Sequence, residues 1–367
     1  MEGRHVQEKP RPERRPARRR AGPGPVKVVL LDILLTCVIL AVFAFCHLAL
    51  PVLRSPAVPA PAVTPPAAPV VTPPADPEPT PPAEPEPTPE PSPEPTPEPT
   101  PDMRTEWQIK FAEHFSDTVI RTENSYTSPN VSITVESFTF GEGSDKSVYH
   151  VADIYIASPE NFRTYTANNE LKYYSIQNAM EMDAASGALV AISGDFYAYQ
   201  SSGFLIRNGE VYSREYAYCD ICVMYEDGSI EMYARNSYDI DEIMDKGVAQ
   251  VWNFGPSLLD SEGHVLDQYQ VSTTVSYPNP RSALGYYEPG HYCFVVVDGR
   301  QDGYSKGMTI PQLAKIFEDL GCASAYNLDG GGSALMTFNH ERYSRQSNGA
   351  NRKLGDLLII VETEEEP

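Results

Sequence analysis

The residues best placed to do chemistry lie in "YNLDGGGSALM", Tyr326 to Met336, where three glycines stand between an aspartate and a serine with apolar shoulders on both sides. A flexible linker is longer and lacks such shoulders. Glycines let a backbone turn tightly and let a ligand approach its N–H groups. Successive N–H groups aimed one way make a nest that holds an anion such as a phosphate. Asp329 beside that nest could serve as a general acid or base, a metal ligand, or a partner for sugar hydroxyls. A structural turn between two strands would use the same residue types, so the surroundings decide.

The elements that position the motif are legible on either side of it. "YCFVVVDGRQ" is a short continuous apolar run, as in a strand buried on both faces. "TIPQLAKIFEDLG" reads as a helix with defined ends. Thr309 and Gln312 form a capping box, Pro311 sits in the first turn, and Gly321 ends it. Its apolar stripe is Ile310, Leu313, Ile316, Phe317 and Leu320. "ASAYNL" is a second buried strand. Strand, helix and strand in succession predict a βαβ unit whose two strands run parallel. Parallel strands end at the same edge, so Asp298-Gly299-Arg300 and Asp329-Gly330-Gly331-Gly332-Ser333 are expected side by side. Ligands of such sheets bind at the carboxyl ends of the strands.

Elsewhere the domain reads as strands with few helices. "VSITVESFTF" and "SVYHVADIYIAS" are strands, and "QNAMEMDAASGA" is a short helix running into the strand "LVAIS". Asn208-Gly209 and Asp227-Gly228 mark hairpin turns. Trp107, Phe111 and Phe115, four apart, predict a helix stripe docked on the domain. The fold class is α+β: a β-rich mixed sheet domain containing a βαβ unit, preceded by a single transmembrane helix and a disordered Pro-rich stalk. Cys219 and Cys222 form a CxxC, but on a strand residues three apart face opposite sides, roughly 10 Å from one another. They are read as packed cysteines. Cys293 and Cys322 begin the two strands of the βαβ unit, close enough for a disulfide. His264, His291 and His340 sit near turns and are read as surface residues.

Composition changes sharply along the 367 residues. Residues 1–27 carry nine Lys/Arg against three Glu and form a basic cytoplasmic tail. Residues 28–50 are apolar apart from Asp32, long enough for a signal anchor that crosses a bilayer. The basic flank places everything beyond them outside. Residues 51–102 hold 22 of the 35 prolines and eight acidic side chains, an extended stalk without a core. Residues 103–367 form one large domain with 18 basic and 38 acidic residues, a net charge of −20. Such a surface excludes nucleic acid as a partner, and any anion site must be a local basic pocket.

"VVVDGRQDGYSKGMTIPQLAKIFEDLGCASAYNLDGGGSALM", with "AISGDFY", "GFLIRNGEVY", "WNFGPSLL" and "NPRSALGYY", resembles the phosphodiester glycosidase family, over about residues 189–362. The resemblance implies a hydrolase of sugar–phosphate–sugar diesters. By position it implies a pocket built from Asp195, Arg281, Asp298, Arg300, Asn327, Asp329 and Ser333, with Arg352 as a late arginine before the last strand. Glycoside cleavage passes through an oxocarbenium-like state and commonly uses two carboxyl groups. Asp329 is the expected working carboxylate, with Asp195 or Asp298 as the second. Arg281, Arg300, Asn327, Ser333, Arg352 and the Gly330, Gly331 and Gly332 amides are expected to bind the phosphate and substrate. No metal ligand set or cofactor is called for, with a divalent cation left open. The expected partners are a glycosyl phosphodiester or phosphorylated glycan and, through residues 28–50, a membrane. A glycan-binding module without catalysis and a metal-dependent phosphoesterase are the competing readings.

Overall fold

In "VSITV" the apolar residues alternate, and in the computed structural model Val131, Ile133 and Val135 turn inward along the strand Val131–Phe140. That strand pairs along its full length with Ser147–Ile156, antiparallel. The structure describes residues 104–347 and 352–363. The tail 1–27, the apolar span 28–50 and the proline-rich segment 51–102 lie outside the described residues. No helix among the described residues is long and apolar enough to cross a membrane.

Seven strands form the first sheet, in the order Ile120–Arg121, Ser125–Thr127, Val131–Phe140, Ser147–Ile156, His291–Val297, Arg281–Glu288, Ser324–Leu328. A second, five-stranded sheet has Ala188–Ser193 at its centre, between Met336–Phe338 and Asp356–Val361. A third, also five-stranded, centres on Val248–Trp252 and carries Phe204–Arg207 beside it. One core joins all three. Ile133, Ile154, Phe294 and Leu328 of the first sheet belong to it with Ile192, Met336 and Leu358 of the second and Cys222 and Trp252 of the third.

Helices cover the outer faces. Ile310–Leu320 sets Leu313, Ile316 and Phe317 in a second core with Ala283, Val295 and Ala325. Each large apolar side chain so buried contributes roughly 1.5–3 kcal/mol. The helix has the ends its sequence prescribes. Thr309 and Gln312 exchange capping contacts, and Gly321 takes the left-handed conformation at φ 78°. On the second sheet, Ala179–Ser186 packs Met182 with Leu357 and Ile359.

Two expectations change. The strands His291–Val297 and Ser324–Leu328 do run in the same direction, but they are not neighbours: Arg281–Glu288 lies between them, antiparallel to both. Pro289 and Gly290 join Arg281–Glu288 to His291–Val297 as a tight hairpin, so this local pairing takes the place next to His291–Val297. The helix then returns the chain to the hairpin's far edge. The helix expected to carry Trp107, Phe111 and Phe115 is also shorter, Glu106–Lys110. Phe111 leaves it to pack edge-on against Tyr155, ring centroids 5.2 Å apart.

Cys222 is buried on the strand Ile221–Tyr225, and Cys219 precedes that strand. Cys293 and Cys322 are both buried as thiols, their Sγ atoms 3.7 Å apart. Treatment with oxidised glutathione is expected to link them. Peptide mapping after alkylation in denaturant checks this, and two alkylated thiols at these positions would refute it.

Candidate active site

Three strand ends meet at one edge of the first sheet. Arg281, opening the central strand, pairs with Val297 just before Asp298, and Ser282 pairs with Leu328 just before Asp329. The second sheet closes on the same place. The Asp329 N–H donates to Gly194 O at 3.0 Å, and Ser193 Oγ donates to Asp329 O at 3.1 Å. The topology therefore brings Asp298-Gly299-Arg300 and the triple-glycine loop together with Arg281 between them.

Why three side chains are missing becomes clear from what occupies their space. A Cβ on Gly330 would stand 2.5 Å from Pro280 O. Gly331 adopts φ +60°, and a Cβ there would meet Arg300 Nη2 at 3.1 Å. On Gly332 it would meet Arg352 Nη1 at 3.2 Å. The loop thus lies under two guanidinium groups. Its amides are only partly free for an anion: the Gly331 N–H donates to Pro280 O at 2.8 Å. From the other side Gln346 Nε2 donates to Gly332 O at 2.8 Å and anchors the loop. The guanidinium groups of Arg300 and Arg352 are therefore more open to an anion than the expected nest of amides is. Arg300, itself at φ +57°, is oriented by a 2.7 Å hydrogen bond from Nη2 to Asn279 Oδ1.

Arg281 is buried, and its guanidinium donates to the carbonyls of Met308, Val275 and Tyr277 at 2.9, 2.6 and 2.8 Å. It forms no ion pair among the described residues. Burial, with Arg300 nearby, pushes its pKa down to about 10. A buried cation without a carboxylate, close to a second cation, makes the edge electropositive within an acidic protein.

The three aspartates fare differently. Asp195 is fully engaged: Oδ1 accepts from the Tyr197 N–H at 2.8 Å, and Oδ2 from the Asn253 N–H at 2.9 Å. Arg207 Nη2 also lies 2.8 Å from that Oδ2, while Arg207 Nε reaches Asp356 Oδ2 at 2.8 Å. Asp298 is engaged as well. Its Oδ1 accepts from the Arg345 N–H, and its Oδ2 contacts His150 Nε2 and accepts from the Tyr304 hydroxyl, each at 2.9 Å. His150 Nδ1 in turn lies 2.8 Å from Ser137 Oγ. Asp298 therefore clamps the Arg300–Lys306 turn and the segment around Arg345 and Gln346 that supports the glycine loop.

Asp329 is 9% exposed, and its carboxyl is the one of the three without such a clamp. Burial pushes its pKa up to about 6; the Ser333 hydroxyl, Arg352 and the Gly330 N–H pull it down, and Asp195 adds to the rise. Ser333 Oγ is buried beside it without a hydrogen bond of good geometry, as is Asn327 Oδ1. Asn327 is held through Nδ2, which donates to Gly255 O at 2.7 Å. Buried polar atoms with spare hydrogen-bonding capacity suit a ligand site.

His150, Tyr304, Asn279, Arg207 and Asp356 escaped the sequence reading. The available signal was a polar residue at an inward position of an apolar strand, as His150 in "SVYHVADIYI" and Arg207 in "GFLIR". Of the histidines read as surface residues, His264 and His340 are exposed and His291 is largely covered; His291 Nε2 lies 2.8 Å from Asp153, His340 Nδ1 3.2 Å from Asp183, and His264 Nδ1 3.5 Å from Glu318. Among the described residues no group of three or more His, Cys, Asp or Glu is arranged to hold a metal ion.

This layered fold gathers a carboxyl and guanidinium groups at one sheet edge. Residues 186–361 match the model of the phosphodiester glycosidase family. The SPbeta prophage-derived uncharacterized protein YomE of Bacillus subtilis (strain 168) is 26% identical over 190 residues. That alignment covers 50% of this chain, which spans only 29% of the relative's length. The fold is similar to the zebrafish N-acetylglucosamine-1-phosphodiester alpha-N-acetylglucosaminidase catalytic domain auto-inhibited by pro-peptide. The TM-score is 0.54 at 20% identity, over 67% of this chain and 88% of that one.

Proposed function

We propose that the chain hydrolyses the glycosidic bond of sugar-1-phosphodiesters, such as glycosyl-phosphate linkages in surface or exopolysaccharide glycans. Residues 28–50 would anchor it, with the domain on the extracytoplasmic side. The observation that carries the activity is Asp329, a buried carboxyl poised near neutrality at the foot of a glycine loop overlain by Arg300 and Arg352.

The phosphate oxygens are held by Arg300 and Arg352 through charge-assisted hydrogen bonds, and buried Arg281 adds to the local positive potential. A phosphodiester oxygen bound this way leaves without a proton from the protein. The sugar C1–O bond breaks with its electron pair going to the phosphate, water attacks C1, and ionised Asp329 takes the water's proton. The products are free sugar and a phosphomonoester. One carboxylate suffices because the leaving group is an anion, which agrees with Asp195 and Asp298 being committed to their own networks.

The test is incubation of the purified full-length protein with UDP-N-acetylglucosamine and simple sugar-1-phosphodiesters, with free sugar quantified against UDP for the former and phosphomonoester for the latter. Both products in equal amounts are expected. Saturable binding of the diesters without turnover would replace the hydrolase by a binding module. Activity lost to a chelator and restored by a divalent cation would replace it by a metal-dependent phosphoesterase.

A further inference from the structure

Beside the proposed catalytic edge lies a cleft of about 970 Å³ that none of the three aspartates lines. Two of its walls are segments that hold site residues. Gly255 and Pro256 line it, and they accept hydrogen bonds from Asn327 Nδ2 and the Asn327 N–H. Val275 lines it too, and its carbonyl accepts from Arg281 Nη2. The cleft therefore begins within one residue of the groups expected to meet the substrate.

Its lining has one consistent chemistry. Gln200, Asn236, Gln268 and Gln270 supply carboxamides, which donate and accept together as sugar hydroxyls require. Phe254, Tyr269 and Tyr218 supply aromatic surface. Tyr269 is locked by its own hydroxyl, which donates to Leu258 O at 2.7 Å, whereas Tyr218 is 76% exposed on the rim. A large aromatic ring presented to solvent beside carboxamides suits stacking on a sugar face. Ser257 Oγ, buried in the wall, has no hydrogen-bond partner. The lining holds one carboxylate, Asp220, and one guanidinium, Arg235, so it carries no excess charge, unlike the electropositive edge next to it.

We infer that this cleft is a subsite for uncharged sugar residues, which receives the glycan attached to the diester. It deepens the glycosidase reading and rests on it for the identity of the substrate.

The test is isothermal titration of full-length Asp329→Asn protein, in detergent, with cellotriose, maltotriose and triacetylchitotriose, and with trigalacturonate and inorganic phosphate as charged probes. At least one uncharged trisaccharide is expected to bind saturably. Tyr218→Ala should weaken that binding about tenfold, the loss of one stacking contact. Arg300→Ala and added phosphate should leave it unchanged. Failure of all three trisaccharides, binding indifferent to Tyr218→Ala, or preference for trigalacturonate would each overturn the subsite. Turnover of UDP-N-acetylglucosamine by the wild type is read separately. Hydrolysis without trisaccharide binding removes the subsite alone, and trisaccharide binding without hydrolysis removes the glycosidase alone.

Discussion

Asp329→Asn is expected to abolish hydrolysis, lowering kcat by about 10²–10⁴-fold, the usual weight of a general base, while making the protein more stable at neutral pH. The two effects have one cause. Burial, acting first, raises the carboxyl from its ordinary 3.8 to about 6 in the folded chain. Below pH 4 the group is protonated folded and unfolded alike and does not affect stability. Between about 4 and 6 the unfolded chain ionises while the folded chain resists, so stability falls as pH rises. Above about 6 both are ionised, and the folded state carries the full cost, on the order of 3 kcal/mol. Asparagine has nearly the same shape and no charge to bury, so thermal denaturation at pH 7.5 should show a higher Tm for the variant than for the wild type. The wild-type kcat should rise with pH through about 6 to a plateau, because the base works ionised. A kcat that falls over that interval would make Asp329 an acid instead. A variant that keeps the full rate would remove it from the chemistry.

Much of this edge is legible in the sequence, because the relevant signals are local. The capping box of Thr309 and Gln312, the apolar runs before Asp298 and Asp329, and the turn at Asn208-Gly209 are all set by residues within a few positions of each other. The interposed strand Arg281–Glu288 was not legible, since strand order depends on which edge a returning chain finds, and periodicity does not encode that. Nor were the clamps on Asp195 and Asp298. Asp298 meets His150 across 148 positions, and Arg207 meets Asp356 across 149. A carboxylate between two apolar strands looks the same in sequence whether its oxygens are spent or free. The glycine loop shows the same limit from the other side. Three absent side chains indicate space near the backbone, and only the fold shows that Arg300 and Arg352 fill it.

Arg207→Met is expected to be among the most damaging single substitutions in the domain, although Arg207 touches no reacting group. Its guanidinium is buried between Asp195 and Asp356 and also donates to the carbonyls of Ile206 and Val251. Burial works against its charge, but the two carboxylates overcome this and hold its pKa above the ordinary arginine value. One cation cannot neutralise two carboxylates. Burial raises the Asp356 pKa above its ordinary value, Arg207 opposes the rise and Asp195 adds to it. Removing the cation leaves buried acid groups without a counter-charge, which costs about 3–5 kcal/mol, against a total of about 5–15 kcal/mol for a typical domain. Urea denaturation should therefore show Arg207→Met largely unfolded or with a much lower midpoint. Adding Asp195→Asn and Asp356→Asn to it should recover part of the loss, because the penalty lies in the stranded charges and not in the missing bulk. A single variant within 1 kcal/mol of wild type would show that the triad does not hold the fold. Recovery of stability without recovery of turnover would show that Asp195 has a second task. It follows directly on Gly194, whose carbonyl holds the Asp329 N–H, so the network that stabilises the sheet junction also sets the position of the proposed base.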